Sequence, residues 1–75
     1  MNLTTAVVVK TLRTLHGQSQ AQLQAQTGLH RSVIIDIEKN RRIIQADERS
    51  ALERAFGVSL ELAGAHLSSL LPQSK

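Results

Sequence analysis

Four cations that lie close together in the sequence are the residues best suited to chemistry in this chain. They fall within a window of twelve residues: Arg31, Lys39, Arg41 and Arg42. Only Asp36 and Glu38 oppose them in that window. Arginine and lysine side chains bind phosphate oxygens, and arginine can also hold a guanine edge through two parallel hydrogen bonds. The cluster therefore predicts either a surface that binds a polyanion or an ordinary solvated face.

The residue types of this chain and their spacing predict neither a catalytic site nor a metal site. The chain has no cysteine, and its three histidines show no ligand spacing with one another, so we expect no metal site. Ser19, His16 and Asp36 do not follow a nucleophile, base and acid order, and neither a glycine-rich phosphate loop nor a paired-carboxylate motif occurs. We therefore expect a protein that is not an enzyme and that uses no cofactor.

Length and composition predict one small domain over residues 1–75 with a net charge of only +3. Phe56 is the only phenylalanine, and there is no tyrosine or tryptophan. This composition disfavours single-stranded nucleic acid as the polyanion, because its bases stack on aromatic side chains. The longest apolar run, residues 6–9, is far shorter than the ~20 residues of a membrane span, and no secretion signal is recognisable. We expect a cytoplasmic protein with no membrane contact.

The spacing of apolar residues predicts five short helices and no strands. We place them at about residues 5–16, 19–27, 31–39, 47–56 and 59–71, so that the ordered core covers about residues 5–71. The first helix carries one apolar stripe along its length: Val8, Val9, Leu12 and Leu15. Pro72 and a polar tail close the last helix.

The second and third helices have the clearest boundaries. Ser19 followed by Gln22 forms a capping box, in which each side chain accepts a free main-chain N–H of the first turn. Gly28 allows the positive φ of a tight turn, and Asn40 can end the third helix in the left-handed conformation, less easily than glycine would. A short helix, a glycine turn and a second short helix form a helix-turn-helix layout, whose second helix can enter the DNA major groove.

These motifs resemble the lambda/434 repressor and Cro type of helix-turn-helix domain, known as the XRE family. The resemblance covers roughly residues 6–67, and its spacing needs no insertion or deletion. The matching residues are Leu12-Arg13, Gly17, Ser19-Gln20, Leu23, Gly28-Leu29, Arg31-Ser32, Ile34, Ile37-Glu38, Arg41-Arg42 and Gly57-Val58-Ser59. The resemblance implies an all-α, compact five-helix lambda-repressor-like domain. Its recognition helix would be the third, at about residues 31–39, and its partner would be double-stranded DNA.

The resemblance also implies roles for individual residues. Arg13 and Glu38 correspond to an ion pair that joins the first helix to the end of the recognition helix. The exposed side of that helix would present four residues to base edges: Arg31, Ser32, Ile35 and Asp36. Five residues would contact phosphates, which positions the protein without reading sequence: Ser19, Gln20, Lys39, Arg41 and Arg42.

Some residues depart from the pattern of this family. Gln24 stands where the family usually has a small alanine, and His30 replaces the usual Ser or Thr cap of the recognition helix. Arg49 and Glu53 occupy positions in the fourth helix that are commonly apolar. They lie four residues apart, so they can pair with each other at a surface. Their polarity predicts either a smaller core or a polar partner interface.

The first functional hypothesis is a small sequence-specific transcriptional regulator, a repressor or an autoregulator. It would bind pseudo-palindromic operator DNA as a homodimer, with two recognition helices about 34 Å apart. One stripe of the fifth helix can cover the core: Leu60, Ala63, Leu67, Leu70 and Leu71. The resemblance favours a dimer contact through this helix, which would use Leu62, outside that stripe, together with Leu70 and Leu71 of the last turn.

The second hypothesis is a protein-interaction module, such as the antitoxin of a toxin–antitoxin system that neutralises a toxin. Its contact surface would contain Ile35, Ile43 and Ile44. Three residues of the helix-turn-helix favour this reading: Gln24, Ile35 and Asp36. Four others favour the DNA-binding regulator: Gln20, Arg31, Arg41 and Arg42. The two roles can coexist in one protein.

Overall fold

The computed structural model of the protein describes residues 4–70, which form five helices and no strands. The helices are α1 (Thr5–Leu15), α2 (Gln20–Thr27), α3 (Arg31–Glu38), α4 (Ala46–Phe56) and α5 (Leu60–Leu70). The all-α class with five helices is confirmed. The predicted boundaries of α1 to α4 lie within one residue of the observed ones, and the predicted end of the fifth helix at Leu71 lies outside the described residues.

Local hydrogen bonds set the helix ends. The hydroxyl of Thr4 accepts the main-chain N–H of Val7 at the start of α1. Both bonds of the Ser19 capping box are present at the start of α2. Helix α4 begins one residue before its predicted start, because the carboxylate of Glu48 accepts the main-chain N–H of Gln45 at 2.9 Å. A carboxylate placed three residues into a helix supplies such a cap to the residue that precedes it.

One apolar core joins all five helices. Helix α1 packs against α3, α4 and α5, while α2 packs against α3 and α4. The largest fully buried side chains come from four different helices: Val9, Leu23, Ile34, Ile37 and Leu52. Because Ile34 and Ile37 belong to α3, the inner side of that helix is fixed in the core and its other side remains at the surface.

The prediction that Leu15 belongs to the core stripe of α1 is wrong. Its side chain is 69% exposed, whereas Val8, Val9 and Leu12 are buried. Leu15 is the last residue of α1, and the ring of the next residue, His16, lies 5.5 Å from the only aromatic ring of the core, that of Phe56. The buried part of the stripe therefore ends at Leu12, and among residues 4–70 nothing covers Leu15 in the last turn of α1 to the same extent.

The expected ion pair between Arg49 and Glu53 does not form. Glu53 accepts the main-chain N–H of Leu60 at 2.8 Å through Oε2, and the ion pairs found within residues 4–70 involve other residues. A free N–H at the start of a helix attracts a carboxylate. Glu53 thus joins α4 to the start of α5 and does not pair along its own helix.

Candidate nucleic-acid interface

The turn between α2 and α3 is built from three residues and ends in an unusual cap. Gly28 closes α2 with a φ of 77°, a value that glycine adopts without strain. The main-chain N–H of Leu29 then donates to Thr27 Oγ1 at 3.1 Å. His30 begins α3, because its Nδ1 accepts the main-chain N–H of Ser32 at 3.2 Å. The ring nitrogen therefore replaces the hydroxyl that usually caps a recognition helix.

The four residues expected to read bases share the outer side of α3, but they differ in exposure. Arg31 and Ser32 are exposed, while Ile35 and Asp36 are half-buried. The hydroxyl of Ser32 lies 2.8 Å from Nδ1 of His30, so it also takes part in the cap. The outer side therefore presents one exposed cation, Arg31, at its start and two half-buried residues, Ile35 and Asp36, in its second turn.

An ion pair between Arg13 and Glu38 joins the end of α1 to the end of α3. Nε of Arg13 donates to Oε2 of Glu38 at 2.7 Å, and Nη2 donates to Oε1 at 3.1 Å. Only 15% of the arginine side chain and 4% of the glutamate side chain are exposed. The bidentate hydrogen bond raises the pKa of Arg13 against the opposing effect of its burial.

Two further hydrogen bonds extend this ion pair into a network. Nη1 of Arg13 donates to the main-chain oxygen of Gln18 at 2.9 Å, in the turn between α1 and α2. Nε2 of Gln20 donates to Oε1 of Glu38 at 3.2 Å. The network therefore fixes the start of α2 and the end of α3 to the same point of α1.

The start of α2 presents main-chain rather than side-chain donors. The amide of Gln20 is bound to Glu38, and the hydroxyl of Ser19 is bound to the main-chain N–H of Gln22. Both side chains, expected at phosphates, are thus engaged within the protein. The main-chain N–H groups of Gln20 and Ala21 have no acceptor within residues 4–70, as is usual for the first turn of a helix.

Lys39 and Arg41 lie just beyond α3, and both side chains are exposed. Asn40 takes a φ of 58° between them, which turns the chain back. The main-chain N–H of Arg41 then donates to the main-chain oxygen of Asp36 at 2.8 Å. Together with Arg31, these residues are exposed cations that form no ion pair within residues 4–70.

The guanidinium of Arg42, which is expected at a phosphate, is paired with Glu48. Nε donates to Oε1 at 3.1 Å, and Nη2 donates to Oε2 at 2.5 Å. Glu48 is buried, with 5% of its surface exposed. The hydrogen bond from Arg42 lowers the pKa of Glu48, with a smaller contribution from the main-chain N–H of Gln45 and an opposing one from burial.

The sequence alone does not predict the role of Glu48 as the partner of Arg42 and Gln45. Its signal is the spacing of Gln45 and Glu48 at the start of α4, which is that of a capping box with glutamine in the place of serine or threonine. Glutamine is uncommon as a cap, so this spacing is only a weak signal of a helix start.

The residues expected at a dimer contact are only partly described. Leu62 is 72% exposed on α5, and Val58, four residues before it, is 44% exposed. The side chain of Leu70 and all of Leu71 lie outside the described residues. The structure therefore offers one exposed leucine and a neighbouring valine for this contact.

A sequence model of the Helix-turn-helix family matches residues 9–62 of the chain, from the first half of α1 to the first turn of α5. The chain belongs to this family, in its Cro/C1-type or XRE form, and the lambda-repressor-like fold is confirmed. Members of the family are DNA-binding regulators. The protein is accordingly a double-stranded-DNA-binding transcription regulator of the XRE type.

A comparison with curated proteins gives no match to this chain. In the part of the chain that the structure describes, no helix has both the length and the apolar character needed to cross a membrane.

We expect Arg13→Ala to lower the free energy of unfolding by roughly 3–5 kcal/mol, because it leaves a mostly buried carboxylate without its cation. Urea unfolding followed by circular dichroism measures the change. Lys10→Ala is the control, since Lys10 is an exposed cation on the same helix, and we expect it to change the stability by at most about 0.5 kcal/mol. Equal losses for the two variants would contradict the structural role of the ion pair.

Proposed function

We propose that the protein is a repressor that binds a pseudo-palindromic operator as a homodimer and regulates its own gene. The observation that carries this proposal is the outer side of α3. It is held in place by the Arg13–Glu38 ion pair, and the exposed cations Arg31, Lys39 and Arg41 lie at its two ends. A helix that is fixed in the core on one side and bordered by free cations is suited to the major groove.

Base reading is assigned to four residues of α3. Arg31 is the main candidate, because a free guanidinium at the start of the helix can bind O6 and N7 of guanine together. Ser32 can donate to or accept from a base. Ile35 can contact the methyl group of a thymine, and Asp36 can accept from the amino group of a cytosine. Because Ile35 and Asp36 are half-buried, they can contact only bases that come close to the helix.

Phosphate binding is assigned to the start of α2 and to the segment after α3. The free N–H groups at Gln20 and Ala21 can bind one phosphate, as helix starts do. In this assignment Ser19 and the amide group of Gln20 hold the helix start and do not contact DNA themselves. Lys39 and Arg41 supply exposed positive charges just beyond the end of α3.

Dimerisation is assigned to α5 through the exposed side chain of Leu62, together with Leu70 and Leu71. A two-fold axis beside α5 would place two α3 helices on successive turns of the DNA, about 34 Å apart. Such a dimer represses by occupying the promoter. It then needs no surface beyond those for DNA and for the second copy.

The second candidate function is a protein-interaction module such as an antitoxin that binds a toxin. Ile43 favours it, since 85% of this apolar residue is exposed in the segment between α3 and α4. The other two isoleucines weaken it, because Ile44 packs against the core and Ile35 is half-buried. A single exposed isoleucine is a small patch for stable docking, so the regulator is the better-supported function.

The decisive experiment is a salt-titrated binding assay on the DNA upstream of the gene for this protein. We expect sub-micromolar binding that depends on two symmetric half-sites, since specific protein–DNA complexes fall in this range or below it. A fragment with one half-site scrambled is the control. Weak binding that is the same for both fragments would contradict the repressor and favour the protein-interaction module.

Arg31→Ala and Arg41→Ala should affect this binding in different ways. We expect Arg31→Ala to lose discrimination at one base pair, by about 1–3 kcal/mol. For Arg41→Ala we expect weaker binding to every sequence and a dependence of log K on log salt that is shallower by about 0.9. Arg54→Ala removes an exposed arginine at the far end of α4 and serves as the charge control. If Arg31→Ala and Arg41→Ala had the same effect, the assignment of separate roles would be wrong.

Leu62→Glu should weaken the homodimer, because it places a charge in an apolar contact. Leu15→Glu is a matched control, since Leu15 is exposed to nearly the same extent, 69% against 72%, but lies on α1. Sedimentation equilibrium at micromolar concentration measures the mass of each variant. A monomeric wild-type protein, or an equal loss of mass in both variants, would contradict dimerisation through α5.

A further inference from the structure

The segment between α3 and α4 has no regular secondary structure, yet hydrogen bonds hold both of its ends. At its start, the main-chain N–H of Arg41 donates to the main-chain oxygen of Asp36. At its end, the main-chain N–H of Gln45 donates to Oε1 of Glu48 at 2.9 Å. The side chain of Gln45 also donates to the main-chain oxygen of Ile43 at 3.0 Å. The backbone of residues 41–45, which we name the α3–α4 loop, is therefore fixed.

Glu48 is the point at which these contacts meet. Its Oε1 accepts from both the Gln45 main chain and Nε of Arg42, while its Oε2 accepts from Nη2 of Arg42. The carboxylate is buried, so these donors replace the water that it loses. Glu48 of α4 thus holds the loop at two points, the main-chain N–H of Gln45 and the guanidinium of Arg42.

We propose that Glu48 is a positioning residue for DNA binding: with Arg42 it fixes the α3–α4 loop so that Arg41 is held in place for a phosphate. This proposal rests on the proposed function, in which the outer side of α3 and Arg41 meet the DNA. Arg42 then acts as the partner of Glu48 and not as a phosphate ligand. A cation carried by a held backbone loses less conformational entropy on binding than one carried by a mobile loop, and its contact is correspondingly stronger.

The sign of the effect distinguishes positioning from simple charge. A carboxylate beside the DNA repels phosphates, so removing its charge should strengthen binding if charge alone matters. If Glu48 positions the loop, removing its charge weakens binding instead. Asp47 offers a matched comparison, because it lies in the same first turn of α4 and is exposed, and its side chain makes no hydrogen bond or ion pair within residues 4–70.

The test compares Glu48→Gln with Asp47→Asn, since each substitution removes one negative charge. Binding to the operator and to a scrambled fragment is measured by fluorescence anisotropy, below the unfolding transition of each variant. We expect Asp47→Asn to bind as tightly as the wild type or more tightly. For Glu48→Gln we expect a loss of roughly 2- to 30-fold, the range for residues that act on a site indirectly.

Glu48→Asp provides a second variant in which the charge is kept. The shorter side chain should lose its reach to Arg42 and Gln45, so we expect weaker binding without any change of charge. This variant also keeps the proposal open to refutation if Glu48→Gln does not fold.

A double-mutant cycle with Arg41→Ala tests whether Glu48 acts through Arg41. In that background we expect Glu48→Gln to have little further effect, because the cation that it positions is already gone. The proposal is overturned if Glu48→Gln binds the operator as tightly as Asp47→Asn does, or if its loss is unchanged in the Arg41→Ala background. A wild-type protein that does not distinguish the operator from the scrambled fragment contradicts the proposed function itself, together with this inference.

Discussion

The ion pair between Arg13 and Glu38 is the interaction on which the orientation of the recognition helix depends. A carboxylate that is almost fully removed from water requires donors around it, and Glu38 receives them from α1 and from Gln20 at the start of α2. Arg13 binds the turn that joins these two helices. Because Glu38 is the last residue of α3, a rotation of α3 in the core would break several hydrogen bonds at once. The angle between α2 and α3 is therefore fixed by polar contacts as well as by packing.

A second arginine–glutamate pair repeats this arrangement in the segment that follows α3. Arg42 and Glu48 hold the segment after α3 as Arg13 and Glu38 hold α3 itself. Both pairs compensate their charges within the protein, so they contribute little to the field that DNA meets. In the proposed function, the attraction for phosphates comes from the exposed cations, and the paired ones determine where those cations lie. Such a division would let a chain with a net charge of only +3 present a basic site.

The sequence predicts the five helices well, because their boundaries depend on local signals such as the capping box at Ser19 and the glycine after α2. The Arg13–Glu38 pair follows from the family resemblance. Other features depend on contacts that spacing does not reveal. Periodicity places Leu15 on the inner side of α1 but cannot show that its side chain stays 69% exposed. Similarly, a four-residue spacing allows Arg49 and Glu53 to pair, yet the free N–H at the start of α5 binds Glu53 instead.

The limited exposure of the residues assigned to bases predicts that one copy of this chain discriminates poorly between DNA sequences. Of the four residues assigned to bases, only Arg31 and Ser32 are exposed, and the hydroxyl of Ser32 already lies near the His30 ring. Each well-made bidentate contact supplies about 1–3 kcal/mol of discrimination, whereas regulators typically bind their sites some 4–10 kcal/mol more tightly than other DNA. A single α3 falls short of that range on its direct contacts. Two copies would double the number of base contacts, so the proposed dimer contact through Leu62 would compensate for the small base-reading surface of each copy.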